Sequence, residues 1–344
     1  MEMIYLDRNE NNYGPAPACL DVLKNAEKSL LNSYSDSYKR GVKSDLSDYL
    51  AKQFAIEEDR VVLGYGAEDL LKQIVQCYLT PGKKLMIPTY SWWYYKKIAE
   101  EVNGINVEYP LVQGTDSFHY DVDQMRVIAE REKPDMVFLS SPNNPTGNSI
   151  SQSDLEQTLD YLEDTIVALD EAYWNDQNTE QAKKLIDRYP NLIIIRTFSK
   201  YYALAGVRIG YGLLGKNLAQ MAKHTNRYLG YNLLSEKIAL AALNSSEYYQ
   251  MISLKMKADK ERYYAELGVL PGFTVYKSDA NFVLVKIPRE IYGPLNESLK
   301  AKGLVIKFMN EEILNSHLRI SLGTQEQNDL VINSITQFMQ ERIR

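Results

Sequence analysis

Short apolar runs alternate with amphipathic segments through the first two thirds of the chain. Seven runs have the length and composition of buried strands, and segments of helical periodicity follow several of them. The predicted strands span residues 60–63, 84–87, 105–110, 135–140, 165–170, 192–198 and 208–214. The predicted helices between them span residues 67–79, 91–102, 121–130 and 151–162. This alternation predicts an α/β fold, in which a mostly parallel seven-stranded sheet is covered by helices.

The pattern changes after about residue 235. A long helix is predicted over residues 246–266, and shorter strands and helices follow it to residue 341, which is typical of a smaller α+β domain. The first thirty residues have the pattern of an irregular arm and one helix. We therefore predict three segments: an arm and helix over 1–30 that contribute to the small domain, a large domain over 31–240, and a C-terminal small domain over 241–344.

Net charge, cysteines and histidines exclude several classes of function. The 39 basic and 45 acidic residues give a net charge of −6, which disfavours sequence-independent binding to nucleic acid. No apolar run is long enough to span a bilayer, and the N-terminus lacks the pattern of a signal peptide. Cys19 and Cys77 are far apart and predict a reduced, cytoplasmic protein. The three histidines, at 119, 224 and 317, show no ligand spacing, so no metal site is expected.

The residues that follow each predicted strand carry the candidate chemistry, because ligands bind beyond the carboxyl ends of strands in open α/β sheets. Residues 64–69 (GYGAED) follow the first strand and begin a helix. This is only a partial dinucleotide fingerprint, since Asp69 takes the place of the third glycine. The safer prediction is a helix N-terminus near Gly66 whose free N–H groups hold one phosphate.

A lysine directly after a buried strand raises the sharpest question. Lys200 follows the strand at 192–198, and an isolated charge there is costly unless it has a function. Thr197, Ser199 and Arg208, with the helix that begins at Gly66, have the chemistry of a phosphate site. Asp170 ends the preceding strand. A lysine that forms a Schiff base, an aspartate for a pyridinium nitrogen and a phosphate cup together predict a pyridoxal phosphate site.

Three motifs then carry a family resemblance: residues 141–147 (SPNNPTG), 169–173 (LDEAY) and 197–211 (TFSKYYALAGVRIGY). With these motifs the chain resembles the class I/II aminotransferases that depend on pyridoxal phosphate and have fold type I. Within that group it is most similar to the histidinol-phosphate aminotransferases. The similarity runs from residues 9–15 (NENNYGP) to residues 318–324 (LRISLGT).

The resemblance implies a role for each matching position. Lys200 carries the cofactor and then moves the proton of the substrate's α-carbon, Asp170 keeps the ring nitrogen protonated, and Tyr173 and Asn144 bond the phenolic oxygen. Tyr90 stacks on the ring. The phosphate is held by residues from three segments and, from the partner subunit, by a tyrosine: Gly66, Ala67, Glu68 (through its backbone), Thr197, Ser199, Arg208 and Tyr34.

The same resemblance places the substrate. Arg319 matches the arginine that binds the substrate carboxylate or phosphate, Tyr13 matches a tyrosine at the mouth of the site, and Asn144 adjoins the substrate. The family's second arginine, about a dozen residues before Arg319, is replaced here by Lys307, which is a point charge instead of a planar fork. The family's Pro-Tyr-Asn is Gly-Tyr-Asn at residues 230–232.

The implied activity is transfer of an amino group from L-histidinol phosphate to a 2-oxo acid such as 2-oxoglutarate, by a ping-pong mechanism in a homodimer. An aromatic or other L-amino acid is an alternative donor, and decarboxylation of a phosphorylated amino acid is an alternative reaction. The aminotransferase-like half of a transcription regulator is disfavoured because no room for a DNA-binding domain precedes residue 9. An inactive paralogue is disfavoured because the key positions are all retained.

Overall fold

The computed structural model of the chain describes residues 3–174 and 179–343. Within these residues fourteen β-strands are formed: β1 (Ile4–Leu6), β2 (Val61–Gly64), β3 (Lys84–Pro88), β4 (Ile105–Tyr109), β5 (Leu111–Gln113), β6 (Phe118–Tyr120), β7 (Met136–Ser140), β8 (Ile166–Asp170), β9 (Leu192–Thr197), β10 (Gly210–Leu214), β11 (Thr274–Tyr276), β12 (Phe282–Lys286), β13 (Leu304–Phe308) and β14 (His317–Ser321).

The same described ranges contain thirteen α-helices: α1 (Pro17–Lys24), α2 (Ser29–Asn32), α3 (Asp45–Phe54), α4 (Ala67–Tyr78), α5 (Tyr94–Glu100), α6 (Val122–Glu132), α7 (Gln152–Tyr161), α8 (Thr179–Arg188), α9 (Ala219–Thr225), α10 (Leu233–Leu243), α11 (Ser246–Leu267), α12 (Tyr292–Ala301) and α13 (Gln325–Ile343). Short 3₁₀-helices lie between them, at Ser37–Arg40, Glu58–Arg60, Ala205–Val207, Lys216–Leu218, Arg289–Ile291 and Glu312–Leu314. None of the described helices is long and apolar enough to cross a membrane.

The large sheet confirms the predicted α/β fold. Its seven strands lie in the order β2-β10-β9-β8-β7-β3-β4, and only β10 runs antiparallel to its two neighbours. The parallel strands β7 and β8 end side by side, with Ser140 opposite Asp170, and the antiparallel β10 begins where β9 ends, with Gly210 opposite Thr197. The residues that follow these strands therefore come to one edge of the sheet.

Helices cover both faces of this sheet, and the strands are apolar for that reason. Successive side chains of a strand point to opposite faces. Ile194 accordingly belongs to one buried cluster and Ile195 to the other, and both are fully buried. A strand that is buried on both sides reads as a continuous apolar run, which is why these strands could be predicted from the sequence.

A second, smaller sheet has five strands in the order β1-β13-β14-β12-β11. Its core includes Leu6 of β1, Leu267 of α11 and Ile335 of α13. Strand β1 pairs in parallel with β13, whereas the other pairs are antiparallel. The sequence pattern predicted an irregular arm at this point, because a three-residue strand is too short to show a period of two.

The N-terminal segment contacts both halves of the molecule. Strand β1 belongs to the small sheet, while helix α1 packs against α10, and the Cys19 thiol lies 3.7 Å from the carbonyl oxygen of Ile238. The division of the chain at residues 30 and 240 stays a prediction. The β5–β6 hairpin was not predicted, and α5 begins at Tyr94 instead of residue 91.

Candidate active site

A cleft of about 780 Å³ opens where the strands of the large sheet end. It is lined by residues that follow β7, β8 and β9, by the first turn of α4, by the segment at 7–10 and by β13 and β14 of the small sheet. Most of the side chains predicted for the site are therefore brought together. A second cavity of about 1000 Å³ shares Lys200 and Tyr173 with this cleft and lies toward α11.

Lys200 lies in the cleft three residues beyond the end of β9. Its Nζ donates to the carbonyl oxygen of Arg8 at 2.9 Å, and it lies 5.5 Å from the centroid of the Tyr173 ring. Burial lowers the pKa of Lys200 to about 8, and the positive charges of Arg319 and Arg208 act in the same direction. A larger fraction of this amine is therefore neutral near neutral pH than for an ordinary lysine, which favours a nucleophilic or basic role.

Asp170 is a buried carboxylate at the end of β8. Its Oδ2 accepts a hydrogen bond from the Tyr95 hydroxyl, and its Oδ1 accepts one from the backbone N–H of Ala172 at 2.9 Å. Burial raises the pKa of Asp170, and these two hydrogen bonds oppose the rise. Among the described residues it forms no salt bridge. A buried carboxylate of this kind suits a cation supplied by a ligand.

Hydrogen-bond donors from three segments surround the start of α4. The Thr197 hydroxyl donates to Ser199 Oγ at 3.0 Å, and Arg208 Nη1 lies 3.5 Å from the same Ser199 oxygen. Arg208 Nη2 donates to the carbonyl oxygen of Tyr65 at 3.0 Å, just before the helix. Ala67 is the first residue of the twelve-residue helix α4, and the N-terminus of a helix is a favourable place for an anion.

Gly66 leaves room that a side chain would fill. It has a left-handed φ of 88°, and a Cβ at this position would lie 3.0 Å from Arg208 Nη2. Glu68, in the first turn of α4, has its carboxylate 3.9 Å from the same guanidinium, with both side chains about half exposed. That carboxylate therefore lies beside the guanidinium at the start of the helix.

Arg319 projects from β14 into the buried end of the cleft. Its Nη1 donates to Asn144 Oδ1 at 2.5 Å and its Nη2 to the carbonyl oxygen of Asp7 at 2.6 Å. Its buried Nε has no hydrogen-bond partner within the described part of the chain. Lys307 lies directly opposite Arg319 in the β13–β14 pair, lines the same cleft and is exposed. Two cations on neighbouring strands thus face one space.

Aromatic side chains from the stretch after β3 lie at the cleft, close in the sequence to the tyrosine predicted to stack on the cofactor ring. Tyr90 is not among the lining residues; its ring packs edge-on against Phe118, with the centroids 5.7 Å apart. Trp92 and Trp93 line the cleft instead, and Trp93 is 63% exposed. The signal was present in the sequence, since two of the three tryptophans are adjacent just after β3. Stacking of Tyr90 on the cofactor ring stays a prediction.

Tyr13 and Tyr34 lie apart from the cleft of their own chain. The Tyr13 hydroxyl donates to Asp259 Oδ2 at 2.9 Å on α11, and burial together with Asp259 raises the pKa of Tyr13. Neither tyrosine lines the cleft, and Tyr34 is 73% exposed. The long path of the arm explains the position of Tyr13, because sequence spacing does not show where an irregular segment docks.

Residues that sequence reasoning missed lie on that arm. Asn9 is almost completely buried, and its Nδ2 donates to the Tyr173 hydroxyl oxygen at 3.0 Å. Arg8 and Glu10 line the cleft beside it. In the described part of the chain, no group of three or more histidine, cysteine, aspartate or glutamate side chains is placed to hold a metal ion.

Comparison with known proteins identifies the family of the chain. Residues 1–335 match the family model described as aminotransferase class I and II. The chain belongs to the class I and II aminotransferases. Histidinol-phosphate aminotransferase 1 (chloroplastic) of Arabidopsis thaliana is 32% identical over 340 residues, which are 98% of this chain and 78% of that protein. Histidinol-phosphate aminotransferase 2 of Archaeoglobus fulgidus is 32% identical over 335 residues, with 97% and 92% covered.

A solved structure agrees with this family assignment. The histidinol-phosphate aminotransferase from Sinorhizobium meliloti, in complex with pyridoxal-5'-phosphate, superposes with a TM-score of 0.87 at 25% identity. The superposition covers 99% of this aminotransferase and 92% of that chain. The fold of the chain is thus that of an aminotransferase over its whole length.

The lowered pKa of Lys200 in this aminotransferase predicts a specific pH profile. In the cofactor-free protein, acylation of Lys200 by acetic anhydride should rise with pH around a midpoint near 8, because only the neutral amine reacts. The rate is measured by mass spectrometry of the lysine's peptide. The same protein unfolded in guanidinium is the control, where the midpoint should return to about 10.4. A midpoint near 10 in the folded protein would contradict the environment described for this amine.

Proposed function

We propose that this aminotransferase depends on pyridoxal phosphate, takes an amino group from L-histidinol phosphate and passes it to a 2-oxo acid such as 2-oxoglutarate. The observation that carries the choice of donor is the pair of cations Lys307 and Arg319, which face the same cleft as Lys200. The names of the relatives from Arabidopsis thaliana and Archaeoglobus fulgidus support the same donor.

The donors and charges of the cleft fit pyridoxal phosphate. Its phosphate suits the start of α4 together with Thr197, Ser199 and Arg208, where glycine at position 66 leaves space for it. Its protonated ring nitrogen suits Asp170, a buried carboxylate that forms no salt bridge with the residues the structure describes. Its ring is assigned to Tyr90, as the resemblance implies, and Trp92 and Trp93 line the cleft close by in the sequence. When bound, the cofactor withdraws electrons from the substrate's α-carbon and carries the amino group between substrates.

Lys200 is the group that holds the cofactor covalently and then transfers a proton at the substrate's α-carbon. A base for this purpose works best when its pKa lies near the working pH. The pKa of about 8 for Lys200, caused mainly by burial, meets that condition. Tyr173 and Asn144 border the same space and are assigned to the phenolic oxygen of the cofactor.

Lys307 and Arg319 are assigned to the phosphate of the donor. A phosphate monoester carries close to two negative charges at neutral pH, so two cations match it better than one. Arg319 keeps an unpartnered buried Nε, and Lys307 forms no salt bridge with the described residues. The planar guanidinium orients the anion, and the exposed ammonium adds a mobile point charge.

The donor is tested by a half-reaction without any 2-oxo acid. We expect L-histidinol phosphate to convert the absorbance band of the lysine-bound cofactor to that of the aminated cofactor. Lys307→Ala should raise the histidinol phosphate concentration needed for half-maximal conversion by about 10- to 100-fold, since a hydrogen bond to a charged group is lost. Lys307→Arg should leave this concentration largely unchanged. L-Histidinol, which lacks the phosphate, is the matched control and should be insensitive to both substitutions.

Two outcomes would overturn the assignment of the donor. An unchanged band with histidinol phosphate, followed by conversion with an aromatic or other L-amino acid, would replace the donor. Release of CO₂ from a phosphorylated amino acid would replace the reaction by decarboxylation. Either result would leave the family of the chain unchanged.

We also propose a homodimer in which Tyr34 reaches the cofactor phosphate of the partner subunit. Tyr34 does not line the cleft of its own chain, and large apolar side chains are exposed near it: Leu31 on one side and Leu229 on an adjacent segment, where Ser35 N–H donates to the Leu229 carbonyl oxygen at 3.4 Å. Exposed apolar patches of this kind are typical of protein interfaces.

The free thiols of Cys19 and Cys77 support a cytoplasmic location.

Mixed dimers test the contribution of Tyr34. Neither Tyr34→Ala nor Lys200→Ala chains alone should form normal sites. In a re-associated equal mixture, the Tyr34→Ala chain supplies Lys200 and the Lys200→Ala chain supplies Tyr34, so about a quarter of all sites should regain tight cofactor binding. Cofactor fluorescence in an equilibrium titration measures this fraction. If the mixture binds no better than its components, Tyr34 does not act across the interface.

A further inference from the structure

Residues 7–9, which we call the strap, cross the cleft and contact three site residues at once. The carbonyl oxygen of Asp7 accepts from Arg319, that of Arg8 accepts from Lys200, and the amide of Asn9 contacts Tyr173. The strap follows directly after β1 of the small sheet, whereas Lys200 and Tyr173 follow strands of the large sheet. It is therefore placed to set the hydrogen bonding of the site.

The Asn9 side chain pairs with Ser321 at one end of its amide and with Tyr173 at the other. The Asn9 N–H donates to Ser321 Oγ at 2.7 Å, and the Ser321 hydroxyl donates to Asn9 Oδ1 at 3.1 Å. Because Oδ1 accepts the hydrogen bond from Ser321, the NH₂ end of the amide faces Tyr173, with Nδ2 3.0 Å from the hydroxyl oxygen. The carbonyl oxygen of Asn9 accepts from Asn281 Nδ2 at 2.9 Å, which holds the backbone as well.

This orientation determines what Tyr173 can do. The Tyr173 hydroxyl oxygen accepts a hydrogen bond from Asn9 Nδ2. The hydroxyl proton of Tyr173 is therefore not used by Asn9 and remains available for a group in the cleft. The backbone of Asn9 has a left-handed φ of 54°, a conformation that asparagine adopts more readily than most residues. The chain thus places an asparagine where both the backbone and the amide suit it.

We propose that Asn9 is a positioning residue that makes Tyr173 a hydrogen-bond donor to the phenolic oxygen of the cofactor, an inference that rests on the proposed function. The charges that face Tyr173 are Lys200, Arg319 and Asp170. Burial raises the pKa of Tyr173, while Arg319 and the Asn9 hydrogen bond partly oppose the rise, so the hydroxyl keeps its proton for donation.

Asn9→Asp tests this inference in the holoenzyme. The substitution preserves shape and tolerates the left-handed backbone, but it replaces the NH₂ donor by a carboxylate acceptor. Tyr173 should then donate to that carboxylate and no longer to the cofactor. We expect the pH midpoint of the absorbance change of the lysine-bound cofactor to rise by about one unit, because the deprotonated form, in which the phenolic oxygen carries full negative charge, loses its donor.

Two comparisons separate this effect from added charge. Tyr173→Phe should raise the midpoint similarly, and adding Asn9→Asp to Tyr173→Phe should give no further shift. Asn12→Asp is the matched control, because Asn12 lies on the same arm and donates to Gln327 Oε1 outside the cleft. Its midpoint should equal that of the wild type.

Asn9→Gly, which accepts the left-handed backbone without strain, should shift the midpoint in the same direction, and it replaces Asn9→Asp if that variant folds poorly.

The outcomes distinguish the two levels of the proposal. If Tyr173→Phe shifts the midpoint but neither Asn9 variant does, the positioning role of Asn9 is overturned and the cofactor site stands. If the Asn9→Asp shift persists in full with Tyr173→Phe, it is an effect of charge, and the inference is again overturned. If Tyr173→Phe has no effect, the assignment of Tyr173 to the cofactor falls together with the inference.

Discussion

Buried charge that forms no salt bridge with any of the described residues is the feature on which the rest of the site depends. Asp170 is buried among hydrogen-bond donors that are all neutral, and Arg319 keeps an unpartnered nitrogen in the interior. Burial of this kind costs free energy unless a ligand supplies the missing charge. The lowered pKa of Lys200 has the same origin, because burial and nearby cations disfavour its protonated form. A cationic ring nitrogen, an anionic phosphate and an aldehyde would satisfy these groups.

The two sheets share the site, and the strap connects them. Arg319 and Lys307 come from the small sheet, whereas Asp170, Tyr173 and Lys200 follow strands of the large one. The strap forms hydrogen bonds with Arg319 of the small sheet and with Lys200 and Tyr173 of the large one. A displacement of the small sheet would therefore change the hydrogen bonds of Lys200 and Tyr173. This arrangement gives a physical reason for an N-terminal segment that contacts both halves of the molecule.

Local signals explain why much of the site was predictable. Asp170 and Lys200 each follow an apolar run that is buried on both faces, so strand ends and chemistry could be located together. The Asn9–Tyr173 contact spans 164 residues and depends on how an irregular arm docks, which no periodicity shows. The hydrogen bond from Tyr13 to Asp259 on α11 likewise joins the arm to a distant part of the chain. After β3, Trp93 directly precedes the helix that begins at Tyr94 and lines the cleft, whereas the Tyr90 ring packs edge-on against Phe118.

The most direct test of this account asks which lysine carries the cofactor. The holoenzyme is reduced with borohydride, digested and analysed by mass spectrometry, with Lys200→Ala treated in parallel. The account predicts one pyridoxyl group on the peptide that contains Lys200 and no adduct in the variant. An adduct on another lysine, or one that persists in Lys200→Ala, would contradict the placement of the cofactor at this edge of the large sheet.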